Sequence, residues 1–434
     1  MEKNRSIFFG AFLGIAGLCL ILILLSTFTD NSNFIGPLLA VFFVFTALGF
    51  HGFEQTRKFA YTIWIFAAVT LSMNYPQFFT AVGDFQLKKL IVPLLQIIMF
   101  GMGSQLSIKN FEGVIKMPKG VLVGVVCQFS IMPIIGISLA TIFGFPPEVA
   151  AGVVLIGSSP SGLASNVMSF IARANLALSV TLTAVATLLA PFMTPLLMKL
   201  LAGQYVPIDV WGMMLSIINI VILPIIAGLL FHGIGYGAES RKSILWQLVV
   251  FVLVIFAKNA INVVTTEASI NEQMGTFISD ISWFLVLPAI AAYLFKILSK
   301  GNRSWLDKAM SLVSMVGIAV IITIITAAGR DSLLEIGLAL ILASLIHNMA
   351  GYSLGYWLCK LLRMDEKSCR TISLEVGMQN GGLASGIALE MGKVATIGLA
   401  PAVFGPMMNI TGSSLATWWR GKPVKEDKED NDQN

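Results

Sequence analysis

The chain has 434 residues, 56% hydrophobic and 12% charged, with a mean hydropathy of +0.84. Soluble domains carry about 25% charged residues, so a soluble core is excluded and an integral membrane protein of many helices is implied. The net charge of +5 fits basic cytoplasmic loops and carries no implication of nucleic acid.

Apolar runs long enough to cross a bilayer fall near 7–28, 34–51, 59–76, 89–106, 120–143, 149–171, 177–200, 209–233, 244–265, 281–299, 309–329, 334–359, 371–391 and 396–418, about fourteen in all. The first lacks an A-x-A cleavage site and is longer than a signal-peptide core, so it reads as a retained helix. The run at 34–51 is short and carries His51. With the N-terminus inside, the inside loops collect Lys3 and Arg5, Arg57 and Lys58, Lys109, Lys116 and Lys119, Arg173, Arg241 and Lys242, Lys300, Arg303 and Lys308, and the cluster from Lys360 to Arg370. Outside loops are poor in basic residues, with Lys88 and Lys89 the main exception, and 266–280 carries only acids: Glu267, Glu272 and Asp280. The positive-inside rule then predicts a multi-pass protein of the cell (inner) membrane with both termini cytoplasmic.

Segment 149–171 is interrupted by GSSPSGLASN. Pro160 removes a backbone donor, and Ser158, Ser159, Ser161, Ser165 and Asn166 bring polar atoms to membrane depth, where irregular backbone is tolerated only beside protein or a cavity. The following helix carries Ser179 and Thr183 on one face, with Thr181 and Thr187 nearby. A hydroxyl bonded back to its own helix is the ordinary alternative for each. Lys258, some five residues from a helix end, is expected to snorkel. His347 is expected to be a hydrogen-bonded core residue rather than a proton relay, Glu390 to be interfacial, and Met407 and Met408 to be packing.

The second interruption, TISLEVGMQNGGLASGIALE at 371–390, carries Glu375, Gln379 and Asn380 with four glycines. A carboxylate at bilayer depth costs about 2.5–3.5 kcal/mol and so faces a cavity or a partner. On a continuous helix Glu375 and Gln379 share a face, with Gly381-Gly382 loosening the helix after them. Two interrupted segments about 220 residues apart are a pointer to a transporter binding site between two repeats. The four cysteines form no C-x-x-C pair and read as small core residues, the three histidines form no ligand cluster, and no P-loop is present. The tail KEDKEDNDQN reads as disordered.

The motifs IMFGMG at 98–103, GVVCQFSIMP at 124–133, the long stretch 158–183, HNMAGY at 347–352, EVGMQNGGLAS at 375–385 and MNITGSSLAT at 408–417 resemble the bile acid:sodium symporter family over roughly 59–233 and 305–420. The resemblance implies an all-α polytopic fold. Two inverted five-helix repeats form panel and core domains, and two broken helices cross in the core. It divides the chain into extra N-terminal helices at 1–55, core at 56–233, an inserted helix pair at 234–304, core at 305–420 and a polar tail at 421–434. It also implies one sodium site at Ser165, Asn166, Ser179, Thr183 and Glu375. A second is implied at Gln128, Glu375 and Gln379, with carbonyls of Val376 and Met378. Substrate would lie at Asn380 and Asn409, beside Ser161 and Gly162. Met408 stands where some bile-acid carriers have histidine, and Ser-Ser-Pro-Ser-Gly replaces Cys-Cys-Pro-Gly-Gly, which leaves bile acid, steroid conjugates and small acids such as pyruvate or pantoate all open.

The expected function is sodium-coupled uptake of an organic anion by alternating access, with sodium as coupling ion and no other cofactor. Proton coupling through Glu375 is the alternative within that class. An intramembrane enzyme is disfavoured: an aspartyl type needs two acids at depth and only Glu375 qualifies, and a serine type has only His347 as base.

Overall fold

The structure, a computed structural model, describes residues 2–28, 34–53, 56–236, 241–265, 270–299, 303–422 and 424. The acidic tail from 425 onward and Glu267 lie outside the described residues. Within them the chain is helical apart from connections and a two-residue hairpin, Ala81–Val82 with Phe85–Gln86. Among the described residues nine helices are long and apolar enough to cross a membrane, and three shorter ones are also apolar. Every one of the fourteen apolar runs coincides with a helix or a pair of helices.

In chain order these are α1 (Glu2–Phe28), α2 (Ile35–His51), α3 (Ala60–Asn74), α4 (Gln77–Thr80), α5 (Ile91–Gln105), α6 (Ile108–Lys116), α7 (Pro118–Ile142), α8 (Pro147–Gly157), α9 (Leu163–Ile171) and α10 (Leu176–Leu197). There follow α11 (Val210–Ile217), α12 (Leu223–Gly235), α13 (Arg241–Thr265), α14 (Ile270–Ile281), α15 (Leu287–Ser299), α16 (Arg303–Ala328), α17 (Arg330–Leu361), α18 (Glu366–Gly377), α19 (Gly381–Glu390) and α20 (Leu399–Arg420).

The helices fall into two packed groups. In one, α5 packs on α12 and α16, and α3 on α16. Lipid offers no hydrophobic drive between apolar helices, so small residues set the approach. A Cβ on Gly228 would come 2.6 Å from the Ser104 nitrogen, so α12 meets α5 only because that position is glycine. In the other group, α7, α8, α17, α18 and α20 pack around the two interrupted segments. Each interruption divides a membrane segment into half-helices, α8 with α9 and α18 with α19. The halves also pair across the interruptions. Glu148 at the start of α8 is bonded to Lys393 and Thr396, just beyond α19. At the other end Arg370 of α18 donates to the carbonyls of Ala172, just beyond α9 (3.4 Å), and of Lys422 (2.8 Å).

The inserted pair, α13 with α14 and α15, attaches to α12 and corrects the expectation for Lys258. Its ammonium lies 2.6 Å from Asp280 on α14 and donates to the Asn219 amide oxygen at 2.9 Å. Lys258 and Asp280 are 9% and 7% exposed, so the lysine is a buried partner and does not snorkel. Asp280 is not in a loop either, because α14 begins ten residues before it in the polar stretch INEQMGTFIS. Asn219 sits in a π-turn, Ile218–Ile222, and its carbonyl accepts from Gln96 of α5 at 3.3 Å. A π-turn frees a carbonyl from the helical ladder, which lets a membrane-depth polar group reach a neighbouring helix.

Candidate functional site: a buried acid where two broken helices cross

The helix α8 stops at Gly157 because Pro160 lacks an N–H and biases the residue before it away from helical geometry. The stop in α18 has another origin. It ends at Gly377, whose missing Cβ makes room for the Tyr352 ring, and the chain runs extended through Met378. Asn380 then caps α19, its Oδ1 accepting from the Leu383 N–H at 3.0 Å. The interruption therefore precedes Gly381-Gly382, which are the first turn of the new helix. Glu375 and Gln379 do not share the face of one continuous helix: Glu375 is in α18 and Gln379 is in the extended link.

The two links cross as an antiparallel bridge between Ser161 and Gln379. The Gly162 N–H donates to the Met378 carbonyl at 3.1 Å, and the Asn380 N–H donates to the Pro160 carbonyl at 2.8 Å. Here the glycine matters: a Cβ on Gly162 would lie 3.1 Å from the Gln379 carbonyl oxygen. Four helix ends meet at the bridge. The C-termini of α8 and α18 present carbonyls, and the N-termini of α9 and α19 present N–H groups, so partial charges of both signs converge at one depth.

Beside the bridge Glu375 is 2% exposed. The hydroxyls of Ser165 and Ser179 reach its Oε1 at 2.6 and 2.5 Å, and that of Thr183 reaches Oε2 at 2.9 Å. The same hydroxyls also approach Asn166 Oδ1 (2.8 Å from Ser179, 3.2 Å from Thr183) and the carbonyls of Gly162 (2.7 Å) and Ser179 (3.1 Å). Three hydroxyl hydrogens thus face five acceptor oxygens. No lysine, arginine or histidine among the described residues forms an ion pair with Glu375. The arrangement is rich in oxygen and short of positive charge.

Across the two links the Gln128 amide donates to the Ser159 carbonyl (2.9 Å) and to Gln379 Oε1 (2.5 Å), while Gln379 Nε2 caps α18 at the Val376 carbonyl (2.7 Å). Gln128 Oε1 is buried without a hydrogen-bond partner. Of the expected cation residues, Ser165, Ser179 and Thr183 bond to the Glu375 carboxylate and two of their hydroxyls also reach Asn166, whereas Gln128 and Gln379 bond to each other and to the Ser159 and Val376 carbonyls. Thr181 and Thr187 follow the ordinary alternative, bonding back to Ala177 (2.8 Å) and Thr183 (2.7 Å). Ser161 and Asn380 are buried in the crossing, whereas Asn409 is half-buried on α20. Met408, next to it, does more than pack: its sulfur accepts from the Gln379 N–H at 2.9 Å.

The HNMAGY stretch of α17 lies against both interruptions. The His347 Nε2 is 3.2 Å from the Met132 carbonyl, and a Cβ on Gly157 would come 3.1 Å from the same nitrogen. A Cβ on Gly351 would be 3.0 Å from the Gly377 Cα. His347 is the core residue expected. Asn348 was not singled out by the sequence: its amide is fully buried and both polar atoms lack partners. An asparagine beside a histidine in an apolar run was the signal available. A cavity of about 520 Å³ lies elsewhere, bordered by Glu148, Tyr205, Glu335 and Lys393 at the ends of the helices.

Crossed half-helices with a buried acid at their meeting point, inside a bundle of membrane-spanning helices, define a multi-pass membrane transporter rather than an enzyme. A family model described as the sodium bile acid symporter family matches residues 92–265. A Bacillus subtilis protein named as an uncharacterized sodium-dependent transporter, YocS, is 33% identical over 365 residues, 84% of this chain and 92% of that protein. The ileal sodium/bile acid cotransporter of Oryctolagus cuniculus is 30% identical over 314 residues, 71% of this chain and 72% of that one. An Arabidopsis thaliana chloroplast protein named as a probable sodium/metabolite cotransporter, BASS1, is 29% identical over 367 residues, 85% of this chain and 75% of its own length. The chain belongs to the sodium bile acid symporter family.

Proposed function

We propose that the chain carries an organic anion into the cell together with sodium, by alternating access about the crossing. The observation that carries this is the Glu375 carboxylate, buried among hydroxyl, amide and carbonyl oxygens with no positive side chain among the described residues paired to it. Oxygen ligands of this kind suit a hard cation. The names of the relatives, sodium-dependent transporter and sodium cotransporter, point the same way. Ser165, Asn166, Ser179, Thr183 and Glu375 hold one sodium ion. Gln128, Glu375, Gln379 and the Val376 and Met378 carbonyls hold the second. The anion lies by Ser161 and Gly162, facing the N-termini of α9 and α19. Asn380 donates to it through the amide nitrogen that capping leaves free, and Asn409 adds a second donor.

The units α7 to α10 and α17 to α20 are the cores of two inverted repeats, and their antiparallel bridge supports that reading. The helices at 1–55 and 234–304 are additions to that core, and both termini are cytoplasmic.

Two sodium ions, Glu375 and a monovalent anion together are neutral, which a low-dielectric interior favours. One positive charge then enters per cycle. Uptake should accelerate under an inside-negative potential, which adds about 2.3 kcal/mol of driving force per 100 mV. Indifference to voltage in proteoliposomes would mean one sodium per monovalent anion, or a divalent substrate. The direct test is Glu375→Gln. Sodium should raise the unfolding temperature of the wild type and leave the variant unmoved, and sodium-driven uptake should fall to background. An equal sodium response in both proteins, or uptake driven as well by a proton gradient without sodium, would overturn the assignment.

A further inference from the structure

We propose that the end of the bundle where α7 and α18 begin holds the phosphate of an acidic phospholipid. A cavity of about 390 Å³ opens there between the α6–α7 junction and the α17–α18 connection. Its lining includes Lys116, Lys119 and Arg363 against one carboxylate, Asp365. That carboxylate is committed to capping α18, its Oδ1 accepting from the Ser368 N–H at 2.8 Å. Lys119 spends its ammonium on a neutral partner, the Leu362 carbonyl at 2.8 Å. Lys116 alone has an acid, Glu112 at 2.7 Å, and both of those side chains are largely exposed. Arg363 is held in the left-handed region, φ 55°, an uncommon conformation for a residue with a side chain. The cavity therefore keeps an excess of positive charge that its own residues do not cancel. A diester phosphate is the anion that a lysine and a guanidinium fork bind well.

The surroundings choose a lipid over a soluble phosphate. Ile115, next to Lys116, and Leu361, two residues before Arg363, are 85% and 77% exposed. Large aliphatic side chains at that exposure beside three cations match a headgroup level with acyl chains next to it, and a basic pocket between membrane helices on the positive side is the usual seat of an acidic headgroup. The helix carrying Ile115, α6, is docked in place: Gly113 lies against the Thr181 hydroxyl, where a Cβ would collide. The position also has reach. Asn175, in the cavity wall, caps α10 at the Leu178 N–H (3.0 Å), and Asp365 caps α18. A headgroup there rests on the first turns of the two helices that carry Ser179, Thr183 and Glu375.

The test is native mass spectrometry of protein released from nanodiscs that mix phosphatidylglycerol with phosphatidylcholine. The wild type should retain phosphatidylglycerol preferentially, and Lys119→Gln with Arg363→Gln should lose that preference by roughly 25-fold, two basic groups at roughly fivefold each. The unfolding temperature in pure phosphatidylcholine serves as the check on folding, and Arg363→Gln alone, with roughly a fivefold loss, replaces the pair if the pair does not fold. Unchanged retention in a folded variant overturns the site. So does an equal loss in Lys88→Gln with Lys89→Gln, at the opposite end, because the effect would then be diffuse charge. Full displacement of the lipid by inorganic phosphate would overturn the lipid in favour of a soluble anion.

Discussion

Asp280 and Glu375 are both carboxylates within membrane-spanning helices, 7% and 2% exposed. Asp280 is answered from within the chain, by Lys258 at 2.6 Å. Glu375 is answered by Ser165, Ser179 and Thr183, which bring dipoles and no charge. A buried charge without a counter-charge is costly, and a pair is much less so. The first acid is therefore complete as folded and belongs to the architecture that fixes the inserted helices. On the function proposed above, the second is completed by a cation from solution, which is how a site for a transported ion differs from a structural ion pair. Position along the chain does not separate the two cases. Partner chemistry does.

The largest effect that sharpens this contrast is expected at the structural pair. Asp280→Ala strands Lys258 and should cost about 3–5 kcal/mol of stability, while Lys258→Met with Asp280→Leu should restore most of it. Chemical denaturation in detergent measures both, and the sodium response should survive in the double variant. A double variant no more stable than Asp280→Ala would break the contrast.

Glu375→Gln should act with the opposite sign. In sodium-free buffer the variant should be more stable than the wild type, by about 2 kcal/mol, since a buried uncompensated charge is removed. A destabilisation as large as that of Asp280→Ala would mean that Glu375 is also compensated internally.

The smallest effect is at a single ligand. Thr183→Val keeps the shape and deletes one oxygen, and should weaken sodium binding about fivefold, near 1 kcal/mol. Thr187→Val, one turn on, removes a hydroxyl bonded only to its own helix and should leave sodium affinity unchanged in the same titration. Equal effects at 183 and 187 would show packing rather than coordination.

The spans were legible because membrane helices satisfy their own backbone and so must be continuous and apolar. The interruption at 158–162 was legible because proline acts locally. The one at 378–380 was misplaced by a few residues because its cause is not local: Tyr352 fills the space at Gly377, and Asn380 restarts the helix. Lys258 and Asp280 were misread for a related reason. Each was judged against its own segment, and hydropathy starts the apolar run only after Asp280, although the helix begins earlier, in polar residues. The Glu375 cluster was legible by residue type, but which hydroxyls turn toward the acid was not. Thr181 and Thr187 differ from Thr183 only in the direction they face. Asn348 was passed over because nothing in the linear sequence shows that its amide is fully buried without a partner.

The reciprocal pair of backbone bonds at the crossing has a consequence for how such a chain can vary. Gly162 bonds to Met378 and Asn380 to Pro160, so Ser161 and Gln379 are matched residue for residue. Because the matching uses main-chain atoms, several side chains can occupy these links, and the cavity they border can be retuned by substitution. One inserted or deleted residue in either link would slip the match, turn the next half-helix by about 100° and carry its side chains off the site. Specificity can therefore drift by spelling while both links keep their length, and only paired changes in the two links could alter that length.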